Sequence, residues 1–158
     1  MSVVVPAKDQ EPHLGDCLSS LVGQLADPEA LEVIVVDDGS TDATGAVAHG
    51  FADRLPRLEV LRNEVPVGLA TARNLGLDRA TGRYLAYLDG DDWLARGHLA
   101  GVVEAISRLD VDFVRTDHVQ TLAGRRTVVR APEARRHRVL DPRSSILPAT
   151  TSTMVDYC

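Results

Sequence analysis

One segment decides the fold class of this chain: residues 31–40, which are Leu31-Glu-Val-Ile-Val-Val-Asp-Asp-Gly-Ser40. A nearly continuous apolar run, rich in β-branched side chains, is followed at once by a polar cluster. Such a run is typical of a parallel strand that helices cover on both faces, whereas a strand with one solvated face would alternate. The segment therefore predicts an internal strand of an α/β fold, with its polar end at an edge of the sheet.

The same pattern extends outward along the chain. Strands are predicted at Ser2–Pro6, Leu58–Leu61 and Tyr84–Leu88, and helices at about 12–25, 41–52, 68–80 and 96–108. Strands that alternate with helices of this length indicate βαβ units, and so a mostly parallel sheet flanked by helices. After about residue 110 the pattern changes. The segments 112–122 and 125–130, separated by Ala123-Gly124, predict a C-terminal hairpin.

Length and composition exclude several classes of protein. The 158 residues predict one domain, residues 1–130, followed by an extended or poorly ordered tail at 131–158, which contains three prolines. The hydrophobic content of 44% and charged content of 25% are ordinary for a soluble domain and exclude collagen-like, disordered and disulfide-scaffold classes. The net charge of −6 argues against a nucleic-acid partner, since such proteins are usually basic.

The cysteine content and the apolar runs bear on the compartment. Cys17 and Cys158 fit neither a disulfide framework nor the spacing of a metal site. No apolar run reaches the ~18–20 residues of a membrane span, and no secretory signal precedes the first strand. A cytoplasmic protein is expected, and association with the inner face of the membrane stays open.

Polar clusters follow three of the four predicted strands. They are Pro6-Ala-Lys-Asp-Gln-Glu11, Asp37-Asp38-Gly39-Ser40 and Asp89-Gly90-Asp91-Asp92. Because parallel strands share a direction, these clusters should meet at one edge of the sheet. Of the 23 acidic residues, 16 fall within the first 92 positions, against 7 of the 17 basic ones. Five aspartates at one edge would repel one another, and Mg²⁺ or Mn²⁺ is the simplest compensation.

Each motif also has a purely structural interpretation. An Asp-Gly pair is common in turns, and acids at 37–38 suit a helix N-terminus that Ser40, Thr41 or Asp42 could cap. Arg73 could contact an anion or simply lie on the surface. No Gly-x-Gly-x-x-Gly, P-loop or EF-hand pattern is present, so a diphosphate would have to be bound with the help of a metal.

Five ordered blocks resemble family 2 glycosyltransferases, and within them the Rossmann-like, nucleotide-sugar-binding half of the GT-A fold. The blocks are Ser2-Val-Val-Val-Pro-Ala7, Leu18-Ser-Ser-Leu-Val-Gly-Gln24, Glu32-Val-Ile-Val-Val-Asp-Asp-Gly-Ser-Thr-Asp42, Gly68-Leu-Ala-Thr-Ala-Arg-Asn74 and Gly82-Arg-Tyr-Leu-Ala-Tyr-Leu-Asp-Gly-Asp-Asp92. The resemblance covers about residues 2–130. It implies metal-dependent, inverting transfer of a sugar from a UDP- or GDP-type donor to a hydroxyl of a glycan, lipid or small-molecule acceptor.

The resemblance also implies roles for individual residues. Pro6 and Ala7 would pack against the nucleobase. Asp38, with Asp37 beside it, would contact the base or the ribose, and Arg73 would help to hold the nucleotide. Asp89 and Asp91 would form the DXD pair, with Asp89 near the ribose and Asp91 as the direct metal ligand. The last carboxylate, Asp92, would support this pair.

Two departures from the family pattern matter. Lys8-Asp9-Gln10 stands where the family usually has Tyr-Asn-Glu, which bears on how the base is contacted. No general base is identified: Asp117 lies in the predicted hairpin and Asp156 two residues from the end. We therefore expect a donor-binding part without its acceptor-binding part. The alternative is a truncated or degenerate domain that binds a nucleotide or a partner without turnover.

Overall fold

The computed structural model describes residues 1–109, 111, 114, 116–122 and 125–129. The tail predicted at 131–158 lies outside these residues. The chain divides into two units, Met1–Gly101 and Val102–Cys158. The boundary predicted at residue 130 stays a prediction. Within the described ranges, no helix is both long and apolar enough to cross a membrane.

A four-stranded parallel sheet forms the centre of the first unit. Its strands are β1 (Ser2–Ala7), β2 (Glu32–Asp37), β3 (Arg57–Arg62) and β4 (Leu85–Tyr87), in the order β3-β2-β1-β4. Ala7 pairs with Asp37 across β1 and β2, so these two strands end level with each other. The predicted parallel sheet is confirmed, and the polar segments after its strands meet at one edge.

Four helices connect or follow the strands: α1 (Leu14–Leu21), α2 (Thr44–His49), α3 (Leu69–Arg79) and α4 (His98–Leu109). The prediction that the first helix reaches residue 25 was wrong. The helix ends at Leu21, because Val22 is already extended with a ψ of 125°, and Gly23 then adopts a left-handed φ of 75°. The side-chain amide of Gln24 then donates to the carbonyl oxygens of Ser20 (2.8 Å) and Ala95 (2.9 Å).

Of the residues predicted to cap the second helix, only Asp42 bonds to its first turn. The helix starts at Thr44, so Ser40 and Thr41 lie too far upstream to cap it. The carboxylate of Asp42 accepts a hydrogen bond of 2.9 Å from the backbone N–H of Thr44. An acidic side chain at this position satisfies one of the first N–H groups of the helix, which have no intrahelical partner.

The two faces of the sheet are buried against different helices. Val3, Val5, Val33 and Val35 pack with residues of α1 and α2, whereas Val4, Ile34 and Val36 pack with Ala72 of α3. Burial on both faces is the physical reason why β1 and β2 are apolar without alternation. The helix α3 lies so close to β1 that a Cβ at Gly76 would be 2.2 Å from a Val4 methyl.

The hairpin predicted in the second unit is confirmed. Its strands are β5 (His118–Leu122) and β6 (Arg125–Val129), and they pair antiparallel. β5 is shorter than the segment 112–122 predicted from the sequence. The expected turn at Ala123-Gly124 lies outside the described residues.

A buried carboxylate ties the strands together at the edge opposite the polar clusters. Glu32 accepts hydrogen bonds from the Ser2 hydroxyl, from the Thr81 N–H (2.8 Å) and hydroxyl (2.6 Å), and from Arg57 (2.8 Å). Burial alone would raise the pKa of Glu32. The hydrogen bonds from Ser2 and Thr81, together with the Arg57 charge, outweigh it and lower the pKa from 4.5 to about 2.

Replacing Glu32 with glutamine should therefore destabilise the fold in a pH-dependent way. We expect a loss of about 1–2 kcal/mol in the free energy of unfolding at neutral pH, because the donors around the side chain lose a charged acceptor. The folded-state pKa lies below the unfolded value. The stabilisation is therefore complete above the unfolded pKa and is lost as pH falls toward the folded pKa. Urea unfolding of both proteins between about pH 7 and about pH 3 checks this.

Glu59 offers a matched control for this variant. It pairs with Arg79 at 3.2 Å, but both side chains are about half exposed. Glu59→Gln should change the free energy of unfolding by less than about 0.5 kcal/mol. A Glu32→Gln effect that does not vary with pH would contradict the assignment of a charged carboxylate to this network.

Candidate functional site

The carboxyl ends of the strands border a cleft of about 340 Å³. It lies within the first unit. Five of the residues predicted for the site line it: Pro6, Ala7, Asp38, Asp89 and Asp91. The remaining lining residues are Lys8, Gln10, Pro66, Gly68, Leu69, Ala72 and Gly90. The fold therefore brings the polar segments after β1, β2 and β4 to a single cleft.

Asp38 is buried and organises the loop that follows β3. Its Oδ1 accepts hydrogen bonds of 2.8 Å from the side-chain amide of Asn63 and from the Val67 N–H. Its Oδ2 accepts a further bond of 2.8 Å from the Gly68 N–H. Burial would raise the pKa of Asp38, but the three donors and the charge of Lys8 outweigh it, so the pKa is lowered. The side chain is therefore an ionised acceptor at neutral pH.

Asp37 does not share this environment. It is fully buried, forms an ion pair with Arg62, and accepts a hydrogen bond of 2.9 Å from the Ser40 N–H. Of the two neighbouring aspartates, only Asp38 belongs to the lining residues that the structure describes. Asp37 holds the turn between β2 and α2, and this turn contains Gly39 with a left-handed φ of 69°.

Arg73 also lies outside the described lining of the cleft. Its Nη2 donates to Asp89 Oδ1 at 2.7 Å, and its guanidinium lies 5.7 Å from the centroid of the Tyr87 ring. The Arg73 side chain is 22% exposed and that of Asp89 is 42% exposed. The arginine thus fixes one oxygen of a carboxylate that does line the cleft.

The segment after β4 forms a tight turn against β1. The Asp92 N–H donates to the Asp89 carbonyl at 2.9 Å. Gly90 is buried inside the turn, where a Cβ would lie 3.3 Å from that of Ala7 and 3.4 Å from the Pro6 carbonyl oxygen. Even a methyl group at this position would be in tight contact with Ala7. The glycine of the Asp-Gly-Asp-Asp sequence thus allows the turn to pack closely against β1.

The buried thiol of Cys17 lies against this turn, and the negative charge of the turn affects its pKa. The Cys17 Sγ lies 3.6 Å from the Asp89 carbonyl oxygen. Burial and, to a smaller extent, the charges of Asp92, Asp91 and Asp89 together raise the pKa of Cys17 to about 12. Three carboxylates thus concentrate negative potential here, although Asp92 is not among the described lining residues.

The segment after β1 is held by the segment after β2. The Asp9 N–H donates to Ser40 Oγ at 2.9 Å, and the Gln10 N–H donates to Thr44 Oγ1 at 2.8 Å. In return, Asp9 Oδ1 accepts a bond of 2.8 Å from the Thr41 N–H. Asp9 adopts a left-handed φ of 51°, which is uncommon for a residue other than glycine.

Several lining residues received no role from the sequence. Lys8 and Gln10 belong to the polar cluster expected at this edge, and Leu69 to the block at residues 68–74, but none of the three was named as a site residue. Pro66 was missed, because the chain directly after β3 carries no acidic cluster. Asp38 draws that segment to the cleft through its hydrogen bonds to residues 63–68.

The carboxylates of the cleft could supply some of the ligands of a divalent cation, but not all of them. Among the described residues, no three or more His, Cys, Asp or Glu side chains converge to hold a metal. Asp89 and Asp91 both line the cleft and offer the hard oxygen donors that Mg²⁺ and Mn²⁺ prefer. Mg²⁺ is commonly bound by one or two carboxylates together with substrate phosphates and water. The residues present fit that arrangement.

The fold is similar to those of solved GT-A glycosyltransferases. TarS of S. aureus in complex with UDP superposes with a TM-score of 0.70 and 29% identity, over 78% of this chain and 36% of that one. A mannosyltransferase from Pyrobaculum calidifontis, in complex with GDP-Man and Mn²⁺, gives a TM-score of 0.61 and 32% identity, over 67% of this chain and 32% of that one. The sheet and its cleft therefore define a GT-A type of domain.

The sequence comparisons identify the family. The profile of glycosyl transferase family 2 matches residues 2–154. The uncharacterised glycosyltransferase EpsJ of Bacillus subtilis is 33% identical over 141 residues, which are 89% of this chain and 40% of that protein. Glycosyltransferase AglE of Haloferax volcanii is 35% identical over 119 residues, 72% of this chain and 38% of that protein. The chain belongs to glycosyltransferase family 2 and spans about two fifths of the length of these relatives.

Proposed function

We propose that the cleft binds a nucleoside-diphosphate sugar together with a divalent cation. The chain would form the donor-binding part of an enzyme that transfers the sugar to an acceptor hydroxyl with inversion. One observation carries this proposal: an ionised, hydrogen-bonded Asp38 and the pair Asp89 and Asp91 line the same cleft at the carboxyl ends of parallel strands. Ligands of open α/β sheets bind at this edge.

The lining of the cleft suits the two halves of such a ligand. Pro6, Ala7 and Pro66 give apolar surface for a flat base, and Asp38 lies beside them as a hydrogen-bond acceptor. Asp89 and Asp91 add two carboxylates from the segment after β4. We assign the nucleoside to the first part and the metal-bound diphosphate to the second.

Asp91 and Asp89 would hold the cation, and Asp92 would add negative charge beside them. When bound, the cation would neutralise the charge that develops on the departing nucleoside diphosphate. Arg73 keeps Asp89 in one orientation through the 2.7 Å ion pair, so we assign it a positioning role rather than a direct contact with the nucleotide.

The donor class is supported by what the similar structures contain. TarS has been solved with UDP and with UDP-GlcNAc, and the Pyrobaculum enzyme with GDP-Man and Mn²⁺. A UDP- or GDP-type donor and Mn²⁺ or Mg²⁺ are therefore proposed here. No general base is assigned: Asp117 lies in the second unit, and Asp156 lies outside the described residues. The acceptor stays unassigned for the same reason.

Calorimetric titration of the chain with UDP and GDP tests this proposal. We expect at least one of the two to bind with Mn²⁺ present and to bind at least about tenfold more weakly in excess EDTA, because the diphosphate then faces uncompensated carboxylates. Absence of binding by both nucleotides in Mn²⁺ would refute the proposal.

Incubation with a UDP-sugar and a GDP-sugar then distinguishes a catalytic domain from one that only binds a nucleotide. Binding without sugar transfer or donor hydrolysis would indicate the non-catalytic alternative.

A further inference from the structure

The end of α1 contacts the segment that follows β4 through three side chains. Cys17 and Ser20 lie three residues apart on one face of the helix, and Gln24 follows just after the helix ends. All three contact the segment between Asp89 and Leu99, which begins with the residues assigned to the cation and runs into α4. The end of α1 therefore holds the segment on which the proposed cation site depends.

Gln24 is buried, and both ends of its side-chain amide are hydrogen-bonded. Its Nε2 donates to the carbonyl oxygens of Ser20 and Ala95, and its Oε1 accepts a bond of 3.1 Å from the Leu99 N–H. Leu99 is the second residue of α4, so its N–H is one of those at the start of a helix that have no intrahelical partner. Gln24 thus caps α4 from a position 75 residues earlier in the chain and fixes where that helix begins.

Ser20 holds the same segment nearer to the aspartates. Its hydroxyl donates to the Cys17 carbonyl at 2.6 Å and accepts a bond of 3.0 Å from the Leu94 N–H. Residues 91–97 are exposed, apart from the half-buried Leu94. Exposed segments with few buried contacts open locally at a low cost in free energy. The hydrogen bonds from Ser20 and Gln24 therefore contribute much of what holds this segment in place.

Asp91 needs such support more than Asp89 does. The Asp89 carboxylate is held by its ion pair with Arg73 at 2.7 Å. Within the part of the chain that the structure describes, no hydrogen bond or ion pair restrains the exposed Asp91 side chain. Its position is therefore set through its backbone. A ligand group on a backbone that is already fixed loses less entropy on binding than one on a loosely held segment, so the complex is tighter.

We propose that Ser20 and Gln24 are positioning residues of the cation site, which fix the segment after the turn at residues 89–92 and so keep Asp91 where it can ligate Mn²⁺ or Mg²⁺. Both act through the backbone of residues 94–99, and neither is among the described lining residues of the cleft. This inference rests on the proposed function, because it takes Asp91 as the direct ligand. It goes further in giving a function to two polar residues of α1 and the chain that follows it.

Binding of UDP and GDP to the full chain at increasing Mn²⁺ concentrations tests the inference. The half-saturating Mn²⁺ concentration reports on the metal site of the folded molecules alone. Gln24→Met keeps the length of the side chain but removes its hydrogen bonds. It should raise the half-saturating Mn²⁺ concentration by about tenfold, the lower end of the range for residues that orient a metal ligand. Glu32→Gln destabilises the fold at the opposite edge of the sheet and should leave that concentration within about twofold.

Ser20 allows a second test with closely matched variants. Ser20→Ala removes the hydroxyl and should raise the half-saturating Mn²⁺ concentration by about threefold, since one hydrogen bond is lost from the segment. Ser20→Thr keeps a hydroxyl, which in a helix can still bond a carbonyl three residues earlier, and should restore the wild-type value. Ser19→Ala removes an exposed hydroxyl from the same helix and should leave the value unchanged.

Wild-type values for Gln24→Met and Ser20→Ala would overturn the inference and leave the proposed function standing. An equal increase in Glu32→Gln would overturn it too, because Mn²⁺ binding would then follow the overall stability. Equal loss in Ser20→Ala and Ser20→Thr would contradict a role for the Ser20 hydroxyl. If Gln24→Met does not fold, the Ser20 variants decide. If the wild type binds neither nucleotide at any Mn²⁺ concentration, the proposed function itself fails.

Discussion

Replacing Asp91 with alanine is expected to abolish the metal-dependent part of nucleotide binding. Asp91 is exposed and lines the cleft, and it is the residue that we assign as the direct ligand of the cation. Loss of a metal ligand should weaken metal affinity by at least about a hundredfold, more than the loss of a residue that only supports a ligand. Titration of the chain with UDP, with and without Mn²⁺, measures the effect.

Asp78 provides a control of the same type and charge. It is exposed on α3 and is not among the described lining residues of the cleft. Asp78→Ala should bind UDP as the wild type does in Mn²⁺. The Asp91→Ala protein should unfold at the same urea concentration as the wild type, because an exposed side chain contributes little to stability. Full Mn²⁺-dependent binding by Asp91→Ala would remove Asp91 from the metal site.

Replacing Asp38 with alanine should cost both stability and nucleotide affinity. The change would leave the Asn63 amide and the backbone N–H groups of Val67 and Gly68 without their acceptor. Unsatisfied buried donors of this kind cost about 1–3 kcal/mol each before relaxation, so we expect a total loss of about 3 kcal/mol in the free energy of unfolding. UDP affinity should fall by at least about tenfold.

Asp37→Ala separates a general loss of stability from a role in binding. Asp37 is as deeply buried as its neighbour but is not among the described lining residues. Its loss would remove the ion pair with Arg62 and leave the Ser40 N–H without its acceptor. We expect this variant to be destabilised as well, while the folded fraction binds UDP within about twofold of the wild type. Chemical unfolding and calorimetry on both variants check the pair. If Asp37→Ala alone lost affinity, the nucleoside would have to lie beside Asp37 instead.

The fold was predictable because it depends on local patterns of burial. Val3-Val-Val5 and Val33–Val36 are apolar without alternation, and both segments are buried between helices on two faces. The ends of the elements were less predictable, because they depend on distant contacts. Gln24 bonds to Ala95 just past the end of α1, a contact between residues 71 positions apart that periodicity does not contain.

The sequence was sufficient to predict where the candidate site lies, but less so which residues line it. Strand direction alone brings Asp38, Asp89 and Asp91 to one edge, and all three line the cleft. Sequence gave no means to see that Arg73 contacts Asp89, since a guanidinium can reach many partners. The tail at 131–158, the general base and the cytoplasmic location stay predictions that the described residues do not test.

The sequence by itself determined that this chain forms a parallel sheet with aspartates beyond its strand ends. This was possible because the spacing of apolar residues and the ends of apolar runs can be recognised within short segments of sequence. Only the tertiary structure decided which aspartates face the cleft. Asp37 and Asp38 are neighbours, yet one pairs with Arg62 and the other holds the loop at residues 63–68. Successive side chains of an extended strand point in opposite directions, so their surroundings depend on what the fold packs on each side.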